Sequence, residues 1–195
     1  MTTTGHEIEV KLPVDNIDRL SRSGIILELE TPRHFEENRL FDTADRQLQK
    51  RFSVLRVRAV EGRGTLTFKE PPSADSAPSQ FKKRVELETS IGDPVQMVAL
   101  IERLGYHQWF CYQKFRTVYR ATLPEGGTLH VMFDETPLGN FVELEGEEAA
   151  IAAAVELLGA TAEDYLLDSY IGLQAKYCAV RGLPLQDMVF PADAV

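Results

Sequence analysis

The chain has 195 residues, 44% hydrophobic, 26% charged and 9% aromatic, which is enough sequence for one domain with a substantial core and unlike disordered or collagen-like compositions. Its 30 acidic against 21 basic residues give a net charge of −9, which disfavours a nucleic-acid polymer or an anionic membrane as partner. Cys111 and Cys178 match no zinc spacing and no disulfide framework, and no stretch approaches the roughly 20 apolar residues of a membrane span. A cytoplasmic protein is expected, monomeric or homodimeric.

Charged and apolar residues alternate with period two in Glu7-Ile8-Glu9-Val10-Lys11-Leu12, the pattern of a strand whose two faces meet different surroundings. Val14 to Ser23 places Ile17 and Leu20 at helical spacing before Gly24. A short strand is read at Asn38-Arg39-Leu40-Phe41, and alternation returns in Leu55-Arg56-Val57-Arg58 and Leu66-Thr67-Phe68-Lys69. The Pro- and Ser-rich segment 71–79 reads as a long mobile hairpin loop. Beyond it lies the strand Arg84-Val85-Glu86-Leu87-Glu88. A helix then runs from Pro94, capped by Asp93, with Val95, Val98, Ile101 and Leu104 inward and Gly105 as the stop. Three more strands follow at 114–120, 129–134 and 141–145, then helices over 147–158 and about 168–181. The tail to Val195 is expected to lie at the periphery or to swap onto a neighbour.

Charge is concentrated along this order. Residues 46–120 hold 14 of the 21 basic residues and only 7 acidic ones, so this stretch is +7 and the remainder −16. Like charges recur at i and i+2 in Glu7/Glu9, Arg56/Arg58, Glu86/Glu88, Lys114/Arg116 and Glu143/Glu145, about 6.6 Å apart along a strand. A solvated sheet gains nothing from such pairs. A closed antiparallel barrel with its ionic stripes inward would form a lumen for an ion-rich ligand, its apolar stripes covered by helices. Carboxylate pairs suit Mg²⁺ or Mn²⁺, and Arg and Lys arrays suit phosphoryl oxygens, so metal plus polyanion is the simplest joint reading.

In order and approximate spacing, Glu7-x-Glu9-x-Lys11, Leu55-Arg56-Val57-Arg58, Thr67-Phe68-Lys69, Arg84-x-Glu86-x-Glu88, Lys114-x-Arg116, Asp134 and Leu138-Gly139-x-Phe141-x-Glu143-x-Glu145 resemble the CYTH superfamily, the triphosphate tunnel metalloenzymes. The resemblance implies an α+β fold, a closed eight-stranded antiparallel barrel with an ionic interior flanked by helices, in one domain over 1–195. It implies Mg²⁺ or Mn²⁺ held by Glu7, Glu9, Asp134, Glu143 and Glu145, with Glu86 and Glu88 as further metal or water ligands. Lys11, Arg56, Arg58, Lys69, Arg84, Lys114 and Arg116 would line a triphosphate track.

The expected activity is metal-dependent hydrolysis of inorganic triphosphate or a small organic triphosphate such as thiamine triphosphate. The alternatives are a class IV adenylate cyclase and a non-catalytic polyphosphate or nucleotide sensor. Lys69 is the candidate catalytic base, since crowding by Arg56 and Arg58 would lower its pKa. The competing reading is that Lys69 only holds phosphate. His34 and His130 lack partners at metal spacing and are not expected to be ligands. Ser169, Tyr170 and Lys176 are placed outside the site.

Overall fold

The computed structural model describes residues 2–192 of the chain, with side chains from Gly5 onward. Eight antiparallel strands close into a barrel: β1 (Thr2–Pro13), β2 (Ile26–Asp42), β3 (Val54–Val60), β4 (Arg63–Glu70), β5 (Lys82–Ile91), β6 (His107–Thr122), β7 (Thr128–Thr136) and β8 (Gly139–Glu145). Their order around the barrel is β1-β5-β4-β3-β2-β6-β7-β8, with β8 returning to β1. Closure removes every sheet edge that another chain could extend. All eight expected strands are present, and β2 is far longer than the four residues that signalled it.

Five α-helices lie outside the barrel: α1 (Asp18–Arg22), α2 (Gln47–Lys50), α3 (Pro94–Arg103), α4 (Glu148–Leu157) and α5 (Tyr170–Val180). The outward apolar stripes explain where they dock. Val10, Leu12, Val131, Val142 and Leu144 face out of β1, β7 and β8 and form a core with Leu20 of α1 and Ile151, Ala154 and Val155 of α4. Val57 and Ile91 pack with Ile101 of α3 in a second cluster.

Asp93 caps α3 as expected, accepting from the backbone N–H groups of Val95 and Gln96. The inward stripe differs. Met97, Val98 and Ile101 pack on the barrel, while Val95 and Leu104 are 75% and 68% exposed. Stepping by three residues drifts about 60° per step on a 3.6-residue helix, so Val95 and Leu104 fall on opposite sides. Helix α1 is also shorter than expected, one turn around the buried Leu20, with Gly24 following at φ +86°.

The loop between β4 and β5 is anchored at its far end, where Ser79 donates to Glu148 at 2.7 Å and Phe81 enters the core. The tail lies at the periphery over its described part, exposed from Gly182 to Ala192 except at Met188 and Phe190, and it is tied to β6 of its own chain; residues 193–195 lie outside the described residues. Met188 pairs in parallel with Tyr112 of β6 and is 1% exposed. The backbone N–H of Met188 donates to Cys111, and its carbonyl accepts from Gln113.

Ile151→Ala is expected to lower unfolding free energy by about 2–4 kcal/mol in a denaturant titration, as a large-to-small change in a closed core. Val95→Ala on the exposed side of α3 should stay within about 0.5 kcal/mol of the parent.

Candidate functional site

Strand alternation turns the ionic stripes into the barrel, and register decides what each charge faces. Directly across neighbouring strands, Glu7 lies opposite Arg84, Glu9 opposite Lys82, Lys11 opposite Glu143, Glu36 opposite Lys114, Lys69 opposite Glu86 and Arg116 opposite Asp134. Thus the like charges two apart on β1 and on β6 each face an opposite charge on a neighbouring strand, whereas Arg56 and Arg58 of β3 face Thr67 and Thr65 of β4 and Leu40 and Asn38 of β2. One pair breaks this rule: Glu9 on β1 lies opposite Glu145 on β8. Like charges directly opposite are destabilising.

The side chains close the pattern. Lys69 donates to both carboxylate oxygens of Glu7, at 2.6 and 2.7 Å, and lies 3.3 Å from Glu86. Lys82 holds Glu9 at 2.5 Å and Lys11 holds Glu143 at 2.9 Å. Arg116 donates to both oxygens of Asp134 at 2.6 Å and also pairs with Glu143. Lys114 reaches Asp134 at 2.9 Å. Arg56 lies 3.8 Å from both Glu86 and Glu88, and donates to Thr67 at 3.1 Å and Tyr112 at 3.3 Å. Glu145 has no ion pair among the described residues.

A cavity of about 280 Å³ fills the middle of the barrel. Of the expected phosphate track, Lys11, Arg56, Arg58, Lys69, Arg84, Lys114 and Arg116 all line it. Of the expected metal holders, Glu7, Glu9, Glu143 and Glu145 line it. Glu86 and Glu88 stand behind Arg56 and Lys69 instead. Asp134 is fully buried and differs most from expectation. Both its oxygens are taken up by Lys114, Arg116 and the Tyr170 hydroxyl, the last at 2.6 Å. Its present role is therefore to orient the cations.

Five contributors to this interior were not anticipated. Lys82 is a cavity wall opposite Glu9, and Tyr112 ties Arg56. Tyr170, at the start of α5, lines the cavity and places its ring 4.3 Å from the Lys11 ammonium. Expected to lie outside the site, both Tyr170 and Ser169 are instead part of the wall, whereas Lys176 does lie outside, paired with Asp168 at 2.6 Å. Glu36 is buried between Arg58 and Lys114. His34 bonds Pro32 and Glu36, and His130 pairs with Glu30.

Lys69 corrects one expectation. Burial lowers its pKa, as does Arg56, but Glu7, Glu86 and Glu9 outweigh them and the net shift is upward. Its ammonium is held between carboxylates, so no lone pair is freed. The opposite anomaly sits at Glu145: burial, then Glu7 and Glu9, push its carboxyl up to about 7. Glu9 and Glu143 go the other way, since Lys82 for Glu9, and Lys11 and Arg116 for Glu143, overcome the effect of burial.

Whether these acids suit a divalent cation can be judged from their donor chemistry. They present hard carboxylate oxygens, as Mg²⁺ and Mn²⁺ require, and Glu145 is an uncompensated carboxylate beside two more. No three His, Cys, Asp or Glu side chains are already gathered in ligand geometry among the described residues, because Lys69 and Lys82 hold Glu7 and Glu9. The residues fit the ion, provided those lysines transfer to another anion.

The closed barrel, with Lys, Arg and acidic side chains turned onto one central cavity, defines an ion-lined tunnel protein. Residues 5–169 match the family model of the CYTH domain, and the chain belongs to that family. The family contains adenylyl cyclase and triphosphatase enzymes that act on small triphosphates, generally with divalent metals. A Methanocaldococcus jannaschii protein provisionally named an adenylate cyclase is 27% identical over 143 residues, 71% of this chain and 75% of that protein. A solved Pyrococcus horikoshii protein superposes with a TM-score of 0.64 at 26% identity, covering 88% of this chain and 99% of that one. A Hippeastrum protein, provisionally named an adenylyl cyclase and described as having a dominant triphosphatase activity, shares the fold at a TM-score of 0.57 and 22% identity, over 92% and 97% of the two chains. No helix among the described residues is long and apolar enough to cross a membrane, which does not bear on strands.

The raised pKa of Glu145 has a stability consequence. Its folded value lies above the ordinary carboxylate range, so its ionisation costs stability progressively as pH rises toward about 7, and the cost is complete above that. In metal-free buffer, Glu145→Gln should therefore be more stable than the parent at pH 8, by on the order of 3 kcal/mol. That difference should vanish near pH 4. Denaturant unfolding at the two pH values checks both sign and window.

Proposed function

We propose that the chain is a divalent-metal-dependent triphosphatase acting on inorganic triphosphate or a small organic triphosphate inside the barrel. The observation that carries the reading is the break in charge pairing at Glu9 and Glu145, beside a track of buried Lys and Arg. An uncompensated carboxylate, Glu145, facing the lysine-held Glu9 next to a cationic channel suits a metal bound together with a polyanion, and neither ligand alone satisfies both.

Arg56, Arg58, Lys11, Lys114 and Arg116 would take the phosphoryl oxygens, Arg by planar forks and Lys as compact charges. Lys69, held protonated, joins them as a phosphate holder. Glu7, Glu9, Glu143 and Glu145 would hold Mg²⁺ or Mn²⁺. The bound ion supplies charge neutralisation and a more acidic water. The chain's own contribution is positioning: Asp134 fixes Lys114 and Arg116, Thr67 and Tyr112 fix Arg56, and Tyr170 fixes Asp134. Phosphoryl transfer demands little covalent chemistry from protein, so a fixed cationic frame suffices in kind.

Cyclisation of ATP is the second reading, favoured by the provisional name of the M. jannaschii relative. Purified protein incubated with tripolyphosphate, thiamine triphosphate or ATP, each with Mg²⁺, Mn²⁺ or chelator, separates the two. Metal-dependent orthophosphate release from tripolyphosphate or thiamine triphosphate is expected, and Arg56→Ala should lower kcat/KM by about a hundredfold or more. Cyclic AMP and pyrophosphate from ATP, with no orthophosphate from the others, would replace the hydrolase by a cyclase. Tight binding without turnover would make it a sensor.

The ion pairs add a second expectation. Because Lys69 and Lys82 hold Glu7 and Glu9, anion binding to those lysines frees the acids, and cation binding to the acids frees the lysines. Mg²⁺ should tighten tripolyphosphate binding by roughly tenfold or more, and tripolyphosphate should tighten Mg²⁺ binding by the same factor. Calorimetric titration in both orders checks the reciprocity.

A further inference from the structure

One buried carboxylate has no part in that chemistry. Glu36, on the inner face of β2, is 2% exposed. Its Oε1 lies 3.3 Å from Arg58 Nη1 and 3.3 Å from His34 Nε2. Its Oε2 is buried without a hydrogen-bond partner, 3.6 Å from the Lys114 ammonium. Arg58 and Lys114 are also walls of the central cavity, so Glu36 engages from behind two of the cations that face its ligand.

Beyond Glu36 lies a second cavity of about 450 Å³. It shares Arg58, Arg116, Met132 and Glu145 with the central one, whereas Glu36, His34 and Thr65 line only the outer space. The boundary is thus a thin layer of side chains, with the Glu36 and Glu145 carboxylates in it. A linear polyphosphate carries about one negative charge per phosphoryl unit. To extend past this layer it would have to strip Glu36 from Arg58 and Lys114 and lie against its carboxylate. Burial would push the Glu36 carboxyl up, but Arg58, Lys114 and Arg116 hold it well below the usual range, so the opposing charge persists at neutral pH. Exclusion by a buried like charge is how a site refuses a longer version of its own ligand.

We propose that Glu36 is the length stop of the tunnel, which accepts a triphosphate in the central cavity and rejects linear polyphosphates of four or more phosphoryl groups. The proposal rests on the reading of the central cavity as a triphosphate site. Glu36 acts here as a specificity residue, touching the anion only when the anion is too long.

The test compares tripolyphosphate with tetrapolyphosphate, by calorimetric binding in chelator and by phosphate release with Mg²⁺, for the parent, Glu36→Gln and Glu36→Asp. The parent should prefer tripolyphosphate by about tenfold or more, equivalent to about 1.4 kcal/mol. Glu36→Gln should erase most of that preference, whatever it does to the absolute rate. Glu36→Asp, which keeps the charge but withdraws it by a methylene, should fall between. A parent that binds tetrapolyphosphate as tightly as tripolyphosphate overturns the proposal. So does a folded Glu36→Gln protein with the parent's ratio or, should that variant fail to fold, a Glu36→Asp protein with the parent's ratio. If neither compound is hydrolysed, and thiamine triphosphate is not either, the hydrolase reading fails while the binding ratio still decides the stop. If neither is bound, both fail.

Discussion

Everything in this molecule follows from placing charged side chains inside a closed barrel. An isolated ion moved out of water costs several kcal/mol even after relaxation, so an interior of this kind exists only if nearly every charge meets its opposite. Register supplies that. Six inward pairs of opposite charge lie directly across neighbouring strands, so the barrel's hydrogen-bond ladder is also its electrostatic template. A one-residue slip of any of these strands would turn its charges outward and its apolar stripe inward. The apolar stripes then have only the outside to occupy, and α1, α3 and α4 cover much of it.

Much of this was legible beforehand because alternation survives at single-sequence level where one face is consistently ionic. Glu7-x-Glu9-x-Lys11 and Arg56-x-Arg58 announce their inward face without help. The residues that were missed have specific causes. In β2 the run His34-Phe35-Glu36-Glu37-Asn38-Arg39 is polar in both parities, so nothing marks Glu36 as inward and Glu37 as outward until β6 fixes the register through Glu36 and Lys114. Tyr170 opens a helix, and its contact with Asp134 spans 36 positions, a relation no local pattern encodes.

The proton affinity of Lys69 was misjudged for a related reason. The sequence shows its nearby arginines on β3, but the carboxylates that decide its proton affinity come from β1 and β5. Asp134 repeats the lesson. A lone acid in a family motif suggests a metal ligand, while three donors from β6 and α5 make it a brace. Sequence spacing reports which strand face a group occupies; the charge it meets belongs to strands distant in the chain.

The distribution of compensation inside the barrel finally separates scaffold from site. Asp134 accepts from Lys114, Arg116 and Tyr170 at once, Arg116 engaging both its oxygens, so its cations are held by several bonds together. Glu7 and Glu9 are held by Lys69 and Lys82, ammonium groups on flexible stems that can reorient toward a phosphate at small cost. Glu145 faces Glu9 with no cation of its own. Rigid guanidinium–carboxylate braces on the β6–β7 side and exchangeable lysine–carboxylate pairs on the β1–β5 side therefore divide the labour: the first hold shape, the second trade partners. A tunnel whose charges were all braced would be stable and inert, and one whose charges were all exchangeable would not hold a triphosphate in one place. The ion pairs of β1 are the ones that can change partners, and they lie beside the carboxylate left unpaired.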